Sequence, residues 1–168
     1  RNKSIYKLAG KFLLLTAFNV YFFVDHLKVH HKWVGTVKDA ATARLGENLY
    51  QFFLRTTFQQ IKNAWQNEKD RLKDAGQLPY GIQNYITANV ILITLILVVL
   101  YWLAGPVAIA ALLIQAFIAN FLLEYTNYIE HYGLSRSENE RVTEFHSWQS
   151  DNVISRYFLI DLSRRSEE

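Results

Sequence analysis

The chain has 168 residues, with 18 Lys and Arg against 15 Asp and Glu, for a formal net charge of +3. So small an excess gives no ground for a nucleic-acid partner, and the length is that of about one domain. Cysteine is absent, which excludes disulfides, thiolate zinc sites and a cysteine nucleophile; methionine is absent too, so the chain is expected to be part of a longer one.

Charge is unevenly distributed: from Ala75 to Leu123 there is no Asp, Glu, Lys or Arg. A mean hydropathy near zero therefore conceals a membrane part and a wet part. The first element, Ile5 to Val24, is apolar but carries Lys7 and Lys11, and its uncharged run from Phe12 to Val24 has 13 residues. A span needs roughly 20, so a helix that does not fully cross is expected. From about 43 to 75, Leu45, Leu49, Phe52, Phe53, Ile61, Trp65 and Leu72 recur near helical spacing between polar residues. This predicts an amphipathic helix, with a candidate interruption at Thr56-Thr57 and stop signals at Gly76 and Pro79. Such a helix suits a membrane surface, a lid over a site or an ordinary bundle.

Two apolar runs follow, 86–104 and 107–125, joined by Gly105-Pro106. Each is long enough for one span, and the pair predicts a transmembrane helical hairpin over about 86–125. Its turn is uncharged. The flanks carry Lys28, Lys32, Lys38, Arg44, Lys62, Lys69, Arg71 and Lys73 before it and Arg136 and Arg141 after it, which places both flanks in the cytoplasm. Residues 130–168 are polar, with a helix expected near Val153 to Leu162. The fold class is all-α: an integral-membrane helical bundle, a single domain over 1–168, with a cytoplasmic histidine-rich face.

All five histidines, His26, His30, His31, His131 and His146, lie just outside the apolar runs. Two crossings separate His31 from His131, so both return to the same side of the membrane. His26, His30 and His31 form an HxxxHH cluster; in a continuous α-helix His26 and His30 share a face and His31 points about 100° away. Neighbouring imidazoles suit zinc, copper, iron or nickel. The alternative is a solvated cationic helix end beside anionic lipid. Asn120, Glu124, Asn127 and His131 follow spacings of 4, 3 and 4 along an otherwise apolar helix. Polar groups at membrane depth usually face a site, although a seam of interhelical hydrogen bonds needs no metal. A metal accounts for both features. Glu124, Asn127 and Glu130 are then candidates to orient the imidazoles.

Asn127-Tyr128-Ile129-Glu130-His131-Tyr132-Gly133-Leu134 resembles the NYxEHYGL motif of the bacterial membrane alkane hydroxylases, within the membrane desaturase and hydroxylase superfamily. His26 to His31 resembles their second histidine box. Val34-Gly35-Thr36, Ala43-Arg44-Leu45-Gly46-Glu47 and His146-Ser147-Trp148 resemble further segments. The first box, HELxHK, would precede Arg1, and Arg165 and Glu168 stand where the third box carries its first two histidines. The chain is thus expected to be a partial sequence, inactive alone, of an active enzyme.

The resemblance implies a cytoplasmic-face site in a multi-pass protein of the bacterial inner membrane. Two iron ions would be held there, with His26, His30, His31 and His131 as ligands and His146 in a supporting role. It implies O2-dependent terminal hydroxylation of medium- or long-chain alkanes, with electrons from a rubredoxin. Phe117 and Phe121, with Leu122 and Leu123, are candidate walls of a substrate channel. Lys28, Lys32 and Lys38 would meet anionic lipid or, alternatively, the acidic donor. The competing readings are another membrane diiron hydroxylase or desaturase, and a degenerate non-catalytic membrane protein.

Overall fold

A computed structural model describes residues 3–148, so the expected helix near Val153 to Leu162 and the terminal Arg165 and Glu168 lie outside the described residues. Every regular element among the described residues is helical. They are α1 (Lys3–Thr16), α2 (Val20–Asp25), a π-helical turn (His26–His30), α3 (His31–Trp33), α4 (Leu49–Asp74), α5 (Tyr85–His131) and a short 3-10 turn (Glu144–His146). The described chain divides into two compact units. An apolar unit comprises residues 3–28 and 60–121, and a histidine unit comprises residues 29–59 and 122–148.

The apolar unit corrects one expectation. The stretch from Ile5 to Val24 is two helices, not one. At the end of α1 the Asn19 amide donates to the Leu14 carbonyl at 2.8 Å and the Phe18 amide to the Leu15 carbonyl at 3.1 Å. This paired pattern ends a helix with a left-handed residue, usually glycine. Here Phe18 takes that conformation, at φ 56°, at a cost of about 1–2 kcal/mol. Asn120 Nδ2 donates to the carbonyl of Ala17 at 2.7 Å, satisfying a group that the break exposes. The 14 residues of α1 rise about 21 Å, short of the roughly 30 Å of a bilayer core.

The core of this unit is Val24, Ala64 and Ile86, with Tyr21, Phe23, Trp65 and Tyr85 packed on it. The start of α5 is capped by the buried Asn84, whose Oδ1 accepts from the amides of Ile86 at 2.9 Å and Thr87 at 3.2 Å. Over its 47 residues α5 is broken at Gly105, where φ is 73° and ψ −174°. The break falls at the expected Gly-Pro position; glycine enters this region without a Cβ clash and the proline after it has no amide to donate. Among the described residues α5 is the helix long and apolar enough to cross a membrane, and its most apolar stretch has no cover from the other described residues.

The amphipathic helix also differs from expectation. It begins at Leu49, because Asn48 Oδ1 accepts from the Gln51 amide at 3.0 Å and caps it there. It runs through Thr56-Thr57 without interruption. Thr57 returns its hydroxyl to the carbonyl of Phe53 at 2.7 Å, so its polarity is spent within the helix. At the far end Gly76, at φ 67°, and the bond from the Gln77 amide to the Leu72 carbonyl close the helix as its sequence predicts.

Candidate metal centre

In the histidine unit, polar groups do most of the positioning. The HxxxHH segment is a π turn followed by one turn of α-helix rather than continuous α-helix. The i→i+5 bonding of a π turn changes the rotation per residue, so the α-helical stacking expected of this cluster does not apply. Such turns are frequent at functional sites. After Trp33 the chain leaves the helix at Gly35, at φ 76°. A Cβ there would lie 3.1 Å from the Arg136 Cβ, so both conformation and space require glycine.

The loop from 34 to 48 then builds a carboxylate for His30. Asp39 is buried and lies with Oδ2 3.0 Å from His30 Nδ1. Thr42 Oγ1 donates to the same oxygen at 2.6 Å, and the Ala41 amide donates to Oδ1 at 3.1 Å. Burial pushes this carboxyl up, but the hydrogen bonds from His30, Thr42 and Ala41 outweigh it and hold Asp39 below the usual carboxylate range. An ionised carboxylate only accepts, so His30 carries a proton on Nδ1, which in the neutral ring leaves the lone pair on Nε2.

His131 reaches the same state by another route. Its Nδ1 is 3.1 Å from the carbonyl of His146, which can only accept. In the neutral ring the His131 lone pair is therefore also on Nε2. The His30 and His131 ring centroids are 5.0 Å apart with an interplanar angle of 59°. Both residues are buried. His31 is exposed, its ring 5.8 Å from that of His30. His26 belongs to the apolar unit and stacks on Phe22 at 4.7 Å. Among the described residues no set of three or more His, Cys, Asp or Glu side chains is gathered as a metal-ion site. The pair nevertheless fits a metal: two imidazoles, each with Nδ1–H held by an acceptor, is the usual outer-sphere arrangement of ligating histidines.

His146 has the opposite tautomer. Its Nδ1 lies 3.0 Å from the Thr143 amide, which can only donate. The proton of the neutral ring is then on Nε2, which faces Glu140 Oε1 at 3.8 Å. It is the His146 carbonyl, and not its ring, that meets His131.

The polar residues of the motif at 127–134, and its glycine, each have a contact that places them. Asn127 Nδ2 donates to Glu124 Oε2 at 3.1 Å, and the Thr56 hydroxyl reaches the same oxygen at 3.4 Å, so the buried Glu124 carboxylate is held from two helices. Tyr128 OH donates to the Glu47 carbonyl at 2.7 Å, and Tyr132 OH accepts from the Gly46 amide at 3.0 Å. Glu130 Oε2 lies 4.0 Å from His131 Nε2. Gly133, at φ 68°, donates its amide to the Ala43 carbonyl at 2.9 Å. The Trp148 amide and indole Nε1 donate to the carbonyls of Glu130 at 2.7 Å and Tyr132 at 2.9 Å, meeting acceptors that a helix end leaves open. The stripe is thus divided: Glu124, Asn127 and His131 belong to this unit, while Asn120 clamps the α1 break in the apolar unit. Phe117 and Phe121 are also in the apolar unit, stacked at 6.3 Å, with Phe117 exposed.

Four supporting residues escaped sequence reasoning. Asp39 and Thr42 sit in a loop with no local signal. Arg136 is buried and, among the described residues, is held by carbonyls rather than a carboxylate: Nε donates to that of Val34 at 2.8 Å, Nη2 to that of Lys32 at 2.9 Å, and Nη1 to that of Glu140. It ties the segment after α5 to the chain just past His31. Arg55 does similar service, pairing with Glu47 at 2.7 Å and donating to the carbonyls of Ala40 and Thr42.

A family model for the fatty acid desaturases matches residues 1–167. Alkane 1-monooxygenase 1 of Pseudomonas aeruginosa is 36% identical over 99% of this chain, and its namesake from Alcanivorax borkumensis is 36% identical over 88%. The chain spans 45% and 38% of the lengths of those two relatives. The hydroxylase component of a xylene/toluene monooxygenase from Pseudomonas putida is 28% identical over 79% of this chain and 36% of its own length. With a match over nearly every residue and an apolar helix of spanning length, this is a membrane protein of the fatty acid desaturase family.

Proposed function

We propose that this chain forms part of an alkane 1-monooxygenase and supplies histidine ligands to two iron ions at the cytoplasmic face of a multi-pass bacterial inner-membrane protein. The observation that carries this reading is the His30–His131 pair, 5.0 Å apart and with matching tautomers. His26 and His31 would complete this chain's share of the ligands. The similarity to alkane 1-monooxygenases supports alkane and O2 as substrates, and a small acidic iron protein such as a rubredoxin would supply electrons.

When bound, iron supplies the activation of O2, with one oxygen atom entering a terminal C–H bond and the other leaving as water. The chain's own residues prepare that chemistry. Asp39 and the His146 carbonyl fix the ring orientations and keep Nδ1 protonated on both ligands. Val29, just before the loop that carries Asp39, and Val34, Ala40, Ala41 and Ala43 within it are all buried, which keeps the Asp39 carboxylate in apolar surroundings. The halves of α5 would form the hairpin that presents the site to a substrate dissolved in the bilayer, which spares an alkane the transfer through water.

Hydroxylation of octane by the intact protein, with iron measured on the same sample, tests the reading. His131→Ala and His30→Ala should each lower activity more than about 100-fold, beyond the range for supporting residues, and deplete iron. Full activity in either variant refutes the ligand assignment. The xylene/toluene relative favours one second reading, hydroxylation of an aromatic side chain. Product analysis with octane, xylene and a fatty acyl substrate separates the readings.

A further inference from the structure

The apolar unit contains an open cavity of about 430 Å³ that the metal centre does not use. Its greasy wall is made by Phe23, Leu27, Ile82 and Tyr85. Its polar rim is Lys28, Arg71 and Glu68. Pockets of this size commonly take small ligands, with a few polar groups setting orientation.

The rim groups differ in how far they are committed. The buried Glu68 accepts from Arg71 Nε at 3.0 Å, from Arg71 Nη2 at 2.8 Å and from the Tyr85 amide at 2.8 Å. It braces Arg71 and caps the start of α5. Arg71 spends a further bond on the Gln83 carbonyl at 2.9 Å. Among the described residues neither Arg71 Nη1 nor Lys28 Nζ donates a hydrogen bond. A third cation, Lys11, stands 4.4 Å from the Phe23 ring and 5.1 Å from the Tyr85 ring, two rings of the same wall. Two cations of the rim therefore meet one internally paired carboxylate, and a third stands against the wall. The cavity also adjoins the first turn of the apolar helix, where the chain would enter the bilayer.

We propose that this cavity binds an anionic phospholipid, its phosphate at Lys28, Lys11 and Arg71 Nη1 and its acyl chains on Phe23, Leu27 and Ile82. Charge complementarity selects the anion, and the apolar wall beside it selects an amphiphile over free phosphate. Basic pockets at the cytoplasmic end of membrane helices recognise headgroups in this way. The inference rests on the membrane reading of α5 and not on iron.

Native mass spectrometry of the intact protein tests it, with phosphatidylglycerol, phosphatidylcholine, oleate and inorganic phosphate as probes. Phosphatidylglycerol should be retained most strongly. Lys28→Gln should weaken its retention about fivefold, the equivalent of about 1 kcal/mol per basic side chain at an anionic surface. Lys11→Gln should do the same, and Lys62→Gln, outside the cavity, should not. Ala88→Phe fills the cavity without changing charge and should also displace the lipid. Near-ultraviolet circular dichroism verifies that each variant is folded, and iron content reports separately on the metal centre. The proposal is overturned if Lys28→Gln behaves as Lys62→Gln does, if Ala88→Phe retains the lipid fully, or if oleate or free phosphate competes on equal terms.

Discussion

The two units solve opposite problems. In the apolar unit the buried polar side chains are fewer, namely Asn19, Asp25, Gln60, Glu68 and Asn84, and its long helix carries apolar side chains outward, including Trp102 and Leu103 at more than 80% exposure. A bilayer covers such a surface. In the histidine unit the buried residues include His30, Thr36, Asp39, Thr42, Thr56, Glu124, Asn127, His131, Arg136 and His146. Each of these has a hydrogen-bond partner within the unit. A buried polar group that lacks a partner costs about 1–3 kcal/mol, so this unit is specified by its hydrogen bonds and the other by its hydrophobicity. A polar deletion should therefore be felt far more in the first.

The contrast is sharpest at Arg136. Arg136→Met removes the donors to the carbonyls of Lys32, Val34 and Glu140 and should lower stability by about 3 kcal/mol. Arg136→Lys should recover only part of that, because an ammonium cannot fork to several carbonyls. Thermal unfolding in detergent measures both. An equally large loss from Lys62→Met, on an exposed face of the apolar unit, would erase the distinction between the units.

Asp39→Asn comes next. It keeps the shape of the His30 partner but weakens its hold on the Nδ1 proton. Iron affinity should fall about 10–100-fold, read by competition with a chelator, with little change in unfolding temperature. A similar fall in both would make Asp39 a folding residue only. Gly133→Ala should cost about 1–2 kcal/mol, since its φ is 68° and the new Cβ would lie 3.2 Å from Leu45 Cδ1. Gly10→Ala, in α1 with open space around it, should instead be neutral or stabilising, as alanine favours helix by about 1 kcal/mol.

The smallest effect is shared by both units. The Arg55 hydrogen bond holds Glu47 below the usual carboxylate range. Glu68 is pushed up by burial but held lower overall by Arg71 and the Tyr85 amide. A depressed carboxyl stabilises fully above its unfolded value and loses that contribution as pH falls through its folded value. Stability should thus fall on acidification from about pH 5. Glu47→Gln and Glu68→Gln should each flatten that fall, by no more than about 1 kcal/mol for such partly exposed pairs. An unchanged acid limb in both variants would show that neither pair contributes.

How much of this was legible in the chain follows from the same division. The uncharged stretch, its Gly-Pro break, the stop at Gly76 and the histidine clusters are local patterns, and each was readable because one helix or one turn is enough to explain it. The break at Phe18 was not, because phenylalanine has no local preference for a left-handed conformation and the Asn120 that satisfies the Ala17 carbonyl lies 103 residues away. The start of α4 at Leu49 was missed although Asn48 marks it, because apolar periodicity continues upstream through Leu45.

By itself the sequence determined an apolar helix of membrane length and histidines confined to its flanks, since composition and short-range spacing are properties of the chain before it folds. Tertiary structure alone decided which of those histidines meet, which nitrogen of each ring carries the proton, and which loop residues hold it there. Those outcomes depend on acceptors such as Asp39 Oδ2 and the His146 carbonyl, brought 9 and 15 residues along the chain to a ring by turns whose purpose shows only once the backbone has closed.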